Sequence, residues 1–280
     1  MARLMVATTL RSDYAEFHDE NRATADALAD RGLRPDLHPW HTGIDAWLDA
    51  DLVLVRTTWD YPEHLAEFER WLDALDEAAI AVINPIPFLR WNLRKDYLLD
   101  LAAEGVAIVA VEPVAAGTTI APSASRRVLK PRVGVGGVGA RIIEAGTSVV
   151  ADVDSILNPY LPRVQEGERS VFLVDGEPIR VFRKLPDGDD FRVHPQWGGK
   201  YLVEDDPDPA AVDAARRAYA AADRLTGGGL VYLRVDLLQD DEGRWLVLET
   251  EGLEPSLYPD IDLAVVEALA GAVSRRCPED

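Results

Sequence analysis

The 280-residue chain has one cysteine, Cys277, in a polar tail, so no intrachain disulfide can form and a cysteine-rich metal site is excluded. Lysine is almost as scarce. Only Lys95, Lys130, Lys184 and Lys200 are present, and the other 25 of the 29 Lys plus Arg are arginines. Arg and Lys differ in charge geometry, so each lysine is a place to look for chemistry, against the plain alternative of a codon bias. Long apolar runs are missing too. The opening MARLMVATTLRSDY is too weakly apolar for a signal peptide, and no window approaches the ~18 apolar residues of a membrane span, so a cytoplasmic protein is expected. Positive charge is outweighed: 49 Asp plus Glu leave a net charge of −20. Affinity for polyanions rests on clustered Lys and Arg that displace counterions, so nucleic acid and anionic membrane are poor partners.

With 48% hydrophobic and 28% charged residues the chain reads as folded, and at this length as two or three subdomains rather than one core. The N-terminal part alternates strand-like and helix-like patterns. Leu4 to Thr8, Asp51 to Arg56 and Ala79 to Ile83 read as strands, and Tyr14 to Arg31 and Pro62 to Ala78 as helices, which predicts a parallel, doubly wound sheet over roughly residues 1–88. Lys95 to Ala103 reads as a short helix and Val106 to Val114 as a β-rich run. From about residue 126 the pattern is strands joined by turns: Arg127 to Lys130, Ala140 to Glu144, and a hairpin about Asp175-Gly176. An alanine-rich helix over Pro209 to Leu225 comes next, ended by Gly227 to Gly229, and then a second hairpin, Val231 to Gln239 with Trp245 to Glu251.

That second hairpin carries the sharpest chemical signal. With Glu242-Gly243 as a two-residue turn, Asp236 faces Glu249 and Arg234 faces Glu251, and strand alternation puts all four on one face with Leu233, Val235, Leu237, Leu246 and Leu248 behind. Three carboxylates so close repel unless a cation is bound, and an all-oxygen donor set suits Mg²⁺ or Mn²⁺. The alternative is a solvated strand face with Arg234 offsetting part of the charge. A second signal, Gly134-Val-Gly136-Gly137-Val-Gly139, matches the dinucleotide fingerprint literally, yet the segment 140–146 is β-branched and broken by glycine, so no helix is expected to open there. A mobile glycine loop between antiparallel strands, closing over phosphates with Lys130 just before it, fits better; a merely flexible hairpin tip is the alternative. His38 and His41 read as loop residues, since Pro39 separates them and no third ligand is near.

Lys95, Val-Leu-Lys130-Pro before the glycine loop, Pro159-Tyr-Leu-Pro162, Glu166-Gly-Glu168, Arg234-Val-Asp236 and Glu249-x-Glu251 stand in an order that resembles the ATP-grasp ligases. Arg56-Thr-Thr-Trp-Asp-Tyr61, Arg90-Trp-Asn and Glu254-Pro-Ser-Leu-Tyr258 are similar to the glutathione synthetase-like branch, within it to the amino-acid ligases that include the cycloserine-forming one. The resemblance implies an ATP-grasp fold in the α/β (α+β) class, with an N-terminal doubly wound subdomain (1–88), a small central subdomain carrying the glycine loop (89–162) and a C-terminal antiparallel-sheet subdomain (163–280). It implies that ATP activates a carboxylate to an acyl phosphate, which an amine or similar nucleophile attacks.

By the same resemblance, Lys95 and Lys130 hold the α- and β-phosphates, with Gly136 and Gly137 in the closing loop. Asn158, Tyr160 and Leu161 receive adenine through the backbone, and Glu168 binds the ribose. Asp236, Glu249 and Glu251 bind Mg²⁺, with Mn²⁺ as an alternative; many family members carry Asn at the position of Glu251. Arg234, Lys184 and Arg192 act on the transferring phosphoryl group or acyl phosphate. Gly198 and Gly199 run along the acyl substrate, and Arg56, Trp59, Asp60 and Tyr61 face the substrate, unless Arg56 and Asp60 only anchor a loop. Small amino-acid-like molecules are the implied partners, with a homodimer left open. A catalytically silent ATP-binding regulatory or carrier protein of the same fold is the alternative function. The acidity of the chain does not oppose a small anion, because residues 126–200 hold 12 Lys plus Arg against 10 Asp plus Glu.

Overall fold

The computed structural model describes residues 2–9, 11, 17–188 and 190–278. Strands β1 (Leu4–Thr8), β2 (Pro35–Pro39), β3 (Leu52–Val55) and β4 (Val82–Ile83) form a parallel sheet in the order β2-β1-β3-β4. β1 and β3 are apolar nearly throughout because both faces of a parallel sheet are covered. Met5, Ala7, Val53 and Val55 join one core with Phe68, Trp71 and Leu72 of α2 (Leu65–Glu77). Leu4, Val6, Leu52 and Leu54 join another with Ala27 and Leu28, so α1 (Phe17–Ala29) covers the opposite face. Tyr14, the expected start of the first helix, lies outside the described residues. The expected strand 79–83 shrinks to two residues because Ala79 takes a left-handed φ of 55° to leave α2. His38 lies on β2 rather than in a loop, whereas His41 is in one.

Lys95 does not open a helix. It sits in the turn between α3 (Ile86–Asn92) and α4 (Tyr97–Ala103), and α3, under two turns long, gives too short a periodic pattern to be legible in advance. Of the β-rich run 106–114 only β5 (Glu112–Val114) is a strand. It joins an antiparallel sheet that contains β7 (Arg127–Pro131), β8 (Arg141–Ile143) and β10 (Ser155–Pro159) in the order β5-β10-β7-β8, beside a small ribbon of β6 (Thr119–Ile120) with β9 (Val149–Val150). β7 and β8 flank the glycine stretch, and no helix opens after Gly139, so the dinucleotide reading has no support in the backbone.

The third sheet has the order β13-β12-β11-β14-β15, from β11 (Glu168–Val174), β12 (Glu177–Leu185), β13 (Lys200–Val203), β14 (Tyr232–Gln239) and β15 (Trp245–Glu251). All its pairings are antiparallel. Asp175 and Gly176 take φ values of 52° and 80°, the two positive dihedrals that this tight hairpin needs. Helix α5 (Pro209–Leu225) starts at an Asp208 cap, whose side chain accepts from the Ala210 N–H at 2.9 Å, with proline in the first turn. Its buried alanines share a core with Leu233, Val235, Leu237 and Val247 on the back of the sheet. Small side chains there bring helix and sheet close. Helix α6 (Ala264–Ser274) packs beside α1.

The β14–β15 hairpin reaches the expected register by another route. Its loop is not Glu242-Gly243 alone: Asp240 donates its N–H to Arg244 O at 3.1 Å, which leaves a three-residue loop with Gly243 at φ 78°. Near the loop Leu237 therefore faces Val247, and a bulge beside Leu248 then restores Asp236 opposite Glu249 and Arg234 opposite Glu251. Two one-residue offsets cancel. The apolar back of β15 is consequently Val247 rather than Leu246 and Leu248, and Leu248 is released toward a cavity.

Candidate active site

Strand alternation on the third sheet builds the site. Glu168 and Ser170 on β11, Lys184 on β12, Arg234 and Asp236 on β14, and Glu249 and Glu251 on β15 emerge on the face opposite α5, with Lys184 paired in register to Glu168, Ser170 to Asp236, and Asp236 to Glu249. The expected repulsion among the carboxylates is answered by built-in cations. Arg234 Nη2 lies 2.9 Å from Asp236 Oδ2 and also pairs with Glu251. Lys184, only 1% exposed, lies between Glu168 and Asp236, with Asp236 Oδ2 at 3.1 Å. Glu249 Oε1 receives Lys130 Nζ at 3.3 Å and Lys95 Nζ at 3.5 Å.

Lys95 and Lys130 come from the turn before α4 and from β7. Lys95 also donates to Gly134 O at 3.1 Å, tying the glycine loop down. Burial works against ionisation of Glu249, but the two lysines outweigh it and hold its carboxyl at about 2. Burial likewise opposes charge on Asp236, and Arg234 and Lys184 overcome it, so its pKa is lowered. Lys184 stays charged, its pKa raised against burial by Asp236 and Glu168. The three acids do not converge as a metal cage, and the described residues contain no group of three His, Cys, Asp or Glu able to hold an ion. Both oxygens of Asp236 are engaged, by Ser170, Arg234 and Lys184. Glu249 and Glu251 each use Oε1 alone, and these hard oxygen donors suit Mg²⁺, which typically takes one or two carboxylates plus phosphate and water.

Two cavities adjoin along the glycine loop. The smaller, about 120 Å³, is lined by all eight residues expected at the nucleotide: Lys95, Lys130, Gly136, Gly137, Asn158, Tyr160, Leu161 and Glu168. Asp236, Glu249 and Glu251 also line it. Asn158 donates to Ala110 O at 2.8 Å and leaves its buried Oδ1 without a partner in the cavity wall. The larger cavity, about 940 Å³, is lined by Trp59, Arg192, Tyr201, Arg234 and Tyr258 among others, and shares Gly136, His194, Glu251 and Glu254 with the smaller one. The glycine loop is latched between them: Gln196 Nε2 and Trp197 Nε1 donate to Gly136 O at 2.9 and 3.1 Å.

Several residues expected at the site stand elsewhere. Arg56 is fully buried away from both cavities, pairing with Glu20 at 2.9 Å and donating to Pro255 O at 3.0 Å. Asp60 is buried too, accepting from Trp40 Nε1 at 2.8 Å and from Thr9, with His41 Nε2 at 3.2 Å. Both are tied into buried hydrogen-bond networks away from the two cavities, Arg56 to Glu20 and the Pro255 loop and Asp60 to Trp40 and Thr9, while their neighbours Trp59 and Tyr61 line the larger and the smaller cavity. Gly198 and Gly199 line neither. Gly199 is required because a Cβ would lie 1.9 Å from Val193 O, and Gly198 because its φ is 83°. Lys184 is sealed under the acids rather than open to a phosphoryl group. Arg192 does line both cavities, stacked 3.5 Å over the Trp197 ring and paired with Asp190 at 2.7 Å.

Two residues at the junction carry no signal that assigns them a role from sequence. His194 Nδ1 is buried without a hydrogen-bond partner among the described residues, and burial, reinforced by Lys184 and Arg234, drives its pKa down to about 3, so it is neutral. Nothing in the sequence singles it out from the other four histidines. Glu254 is marked only by its place in the Glu254-Pro-Ser-Leu-Tyr258 segment.

Residues 4–84 match the family described as D-cycloserine synthetase DcsG, N-terminal domain, and residues 119–241 match the prokaryotic glutathione synthetase ATP-grasp domain. The cycloserine biosynthesis protein DcsG of Streptomyces lavendulae is 30% identical over 258 residues, covering 81% of this chain and 83% of that protein. The crystal structure of D-cycloserine synthetase DcsG superposes with a TM-score of 0.82 at 24% identity, covering 99% of this chain and 100% of that one. The ATP-grasp ligase PsnB, complexed with minimal precursor, Mg and ADP, superposes with a TM-score of 0.65 at 17% identity, covering 98% and 97%.

Proposed function

The chain belongs to the ATP-grasp ligases, enzymes that form C–N bonds with turnover of ATP to ADP and phosphate, and from that premise we propose that it activates the carboxylate of a small amino-acid-like substrate. The activated form is an acyl phosphate, which an amine or similar nucleophile attacks to give an amide or a cyclised product. The observation that carries this reading is the shared wall: a cavity flanked by Lys95 and Lys130 meets a larger one flanked by Arg192 and Arg234, with Glu251 lining both.

Phosphoryl transfer asks a protein mainly for positioning and charge neutralisation. Lys95 and Lys130 would turn from Glu249 to the α- and β-phosphates of ATP, and the orphaned Asn158 Oδ1 offers an acceptor to the adenine amino group. Glu249 and Glu251 would hold Mg²⁺, or Mn²⁺ in its place, with Asp236 joining where it releases a present partner. The bound metal supplies neutralisation of the charge on the β- and γ-phosphates. Arg234, fixed between Asp236 and Glu251, would steady the transferring phosphoryl group and the tetrahedral intermediate. Lys184 acts one step back, positioning Glu168 and Asp236. The 120 Å³ cavity is tight beside the ~300 Å³ of typical ligand pockets, and lifting of the glycine loop would widen it for ATP.

The test is release of ADP and phosphate from ATP and Mg²⁺ across an amino-acid panel, with Glu249→Gln alongside. Substrate-dependent ADP that falls roughly 10²–10³-fold in kcat in the variant is the expected result. No ADP with any substrate, together with no ATP binding, would sink the reading. ATP binding without substrate-dependent hydrolysis would favour the silent regulatory or carrier protein.

A further inference from the structure

In the wall of the larger cavity, almost every charged side chain is answered by one of opposite sign. Glu63 pairs with Arg11, Asp152 with Arg141, Glu251 with Arg234, and Arg192 with Asp190. Glu254 is different. It is 7% exposed and lines both cavities, and its carboxylate makes no hydrogen bond or ion pair with any described residue.

The loop that carries it is held at several points. The Glu254 carbonyl accepts from Trp59 Nε1 at 2.8 Å, and the Pro255 carbonyl accepts from Arg56. Glu20 Oε1 receives the N–H groups of Leu257 and Tyr258 at 2.7 and 3.2 Å. The backbone is thus pinned while the carboxyl has no hydrogen-bond or ion-pair partner among the described residues, a polar group that a ligand's ammonium would satisfy. Burial first, and the Glu251 charge second, lift its pKa to about 8 against the pull of Lys95, Arg234 and Arg56, so it is held protonated and a bound ammonium would draw it to the carboxylate. Trp59, Tyr201 and Tyr258 line the same cavity, the aromatic residue types with which ammonium groups associate, and Arg234 already lies 5.8 Å from the centre of the Tyr258 ring. Arg192 and Arg234 line it too, so a ligand bearing both an ammonium and a carboxylate meets both signs.

Resting on the ligase reading above, we infer that Glu254 is the docking carboxylate for the protonated amino group of the substrate, and that the larger cavity therefore selects free primary amines over N-blocked acids. Glu254 is a specificity-determining residue in this assignment. It adds no covalent step.

Calorimetric titration of the full chain tests it. Glycine and both enantiomers of alanine and serine are titrated with and without Mg²⁺ and a non-hydrolysable ATP analogue, then their N-acetyl counterparts. At least one free amino acid should bind, its N-acetyl form at least roughly tenfold more weakly. Glu254→Gln should abolish that preference, and Glu254→Asp should retain part of it. If Glu254→Gln does not unfold as a cooperative protein, the free-versus-acetylated comparison on the unaltered chain decides. Equal binding of the acetylated forms, a preference that survives in a folded Glu254→Gln, or binding of the analogue with no free amino acid bound would each overturn the assignment. Failure of the analogue to bind would count against the ligase reading, while the titrations without nucleotide still decide Glu254.

Discussion

Two regions of this molecule bury carboxylates beside arginines, and they differ in how fully those carboxylates are used. Under the N-terminal sheet, Glu20 gives one oxygen to Arg56 and the other to Ser256, Leu257 and Tyr258, while Asp60 divides its oxygens among Trp40, Thr9 and His41. Neither acid lines either of the two cavities along the glycine loop. On the C-terminal sheet Glu249 and Glu251 each commit one oxygen, Glu254 in the loop after it commits none, and all three line cavities. A saturated buried carboxylate is a structural tie, because adding a ligand there would break more than it makes. An unsaturated one at a cavity can take a ligand without that loss.

The largest effect that could break this contrast is on stability. Glu20→Ala removes the acid that pins both Arg56 and the 256–258 loop and leaves a buried guanidinium unpaired, so it should cost about 3–5 kcal/mol in denaturant unfolding. Any protein that remains folded should keep its nucleotide affinity. A loss under about 1 kcal/mol, the worth of an exposed pair, would show that the tie is not structural.

Next in size is acid sensitivity. The Glu249 carboxyl, held at about 2 in the folded chain against a usual 4.5, contributes stability that is present above pH 4.5 and is lost as the pH falls toward 2. That component should amount to roughly 3 kcal/mol, and the unfolding free energy of Glu249→Gln should fall less steeply across the same window. Parallel curves would mean that Lys95 and Lys130 do not hold this charge.

The smallest effect concerns the latch. Gln196 is exposed, so its bond to Gly136 O contributes at the low end, about 0.5 kcal/mol. Gln196→Ala should ease lifting of the glycine loop and lower the KM for ATP about twofold with kcat little changed. A raised KM would mean that the contact grips the bound nucleotide instead of barring it.

How much is legible in the sequence depends on the range of the interaction. Lys95 reads as helical from sequence because its true setting in the turn depends on α3, which has no periodic signal of its own. Arg56 and Asp60 cannot be told from Trp59 and Tyr61 in that way, because which neighbour turns inward is set by Glu20 and Trp40, 36 and 20 residues away. The expected acid register holds although the expected turn does not, since the three-residue loop and the bulge offset each other.

By itself the sequence determined the local order: apolar β1 and β3, a glycine loop between antiparallel strands, Arg234 with Asp236 on one face of β14, and Glu249 with Glu251 on one face of β15. Each rests on a strand's two-residue period or on glycine's freedom at positive φ, and neither needs a distant partner. Only the tertiary structure decided what those acids meet. Lys130 reaches Glu249 across 119 residues of chain, Lys184 is sealed beneath Asp236, and the Glu254 carboxyl is left at a cavity with no hydrogen-bond or ion-pair partner among the described residues. Charge compensation acts through space, so the pairing of each buried acid is set by how the sheets and loops close together and is not written in any local pattern.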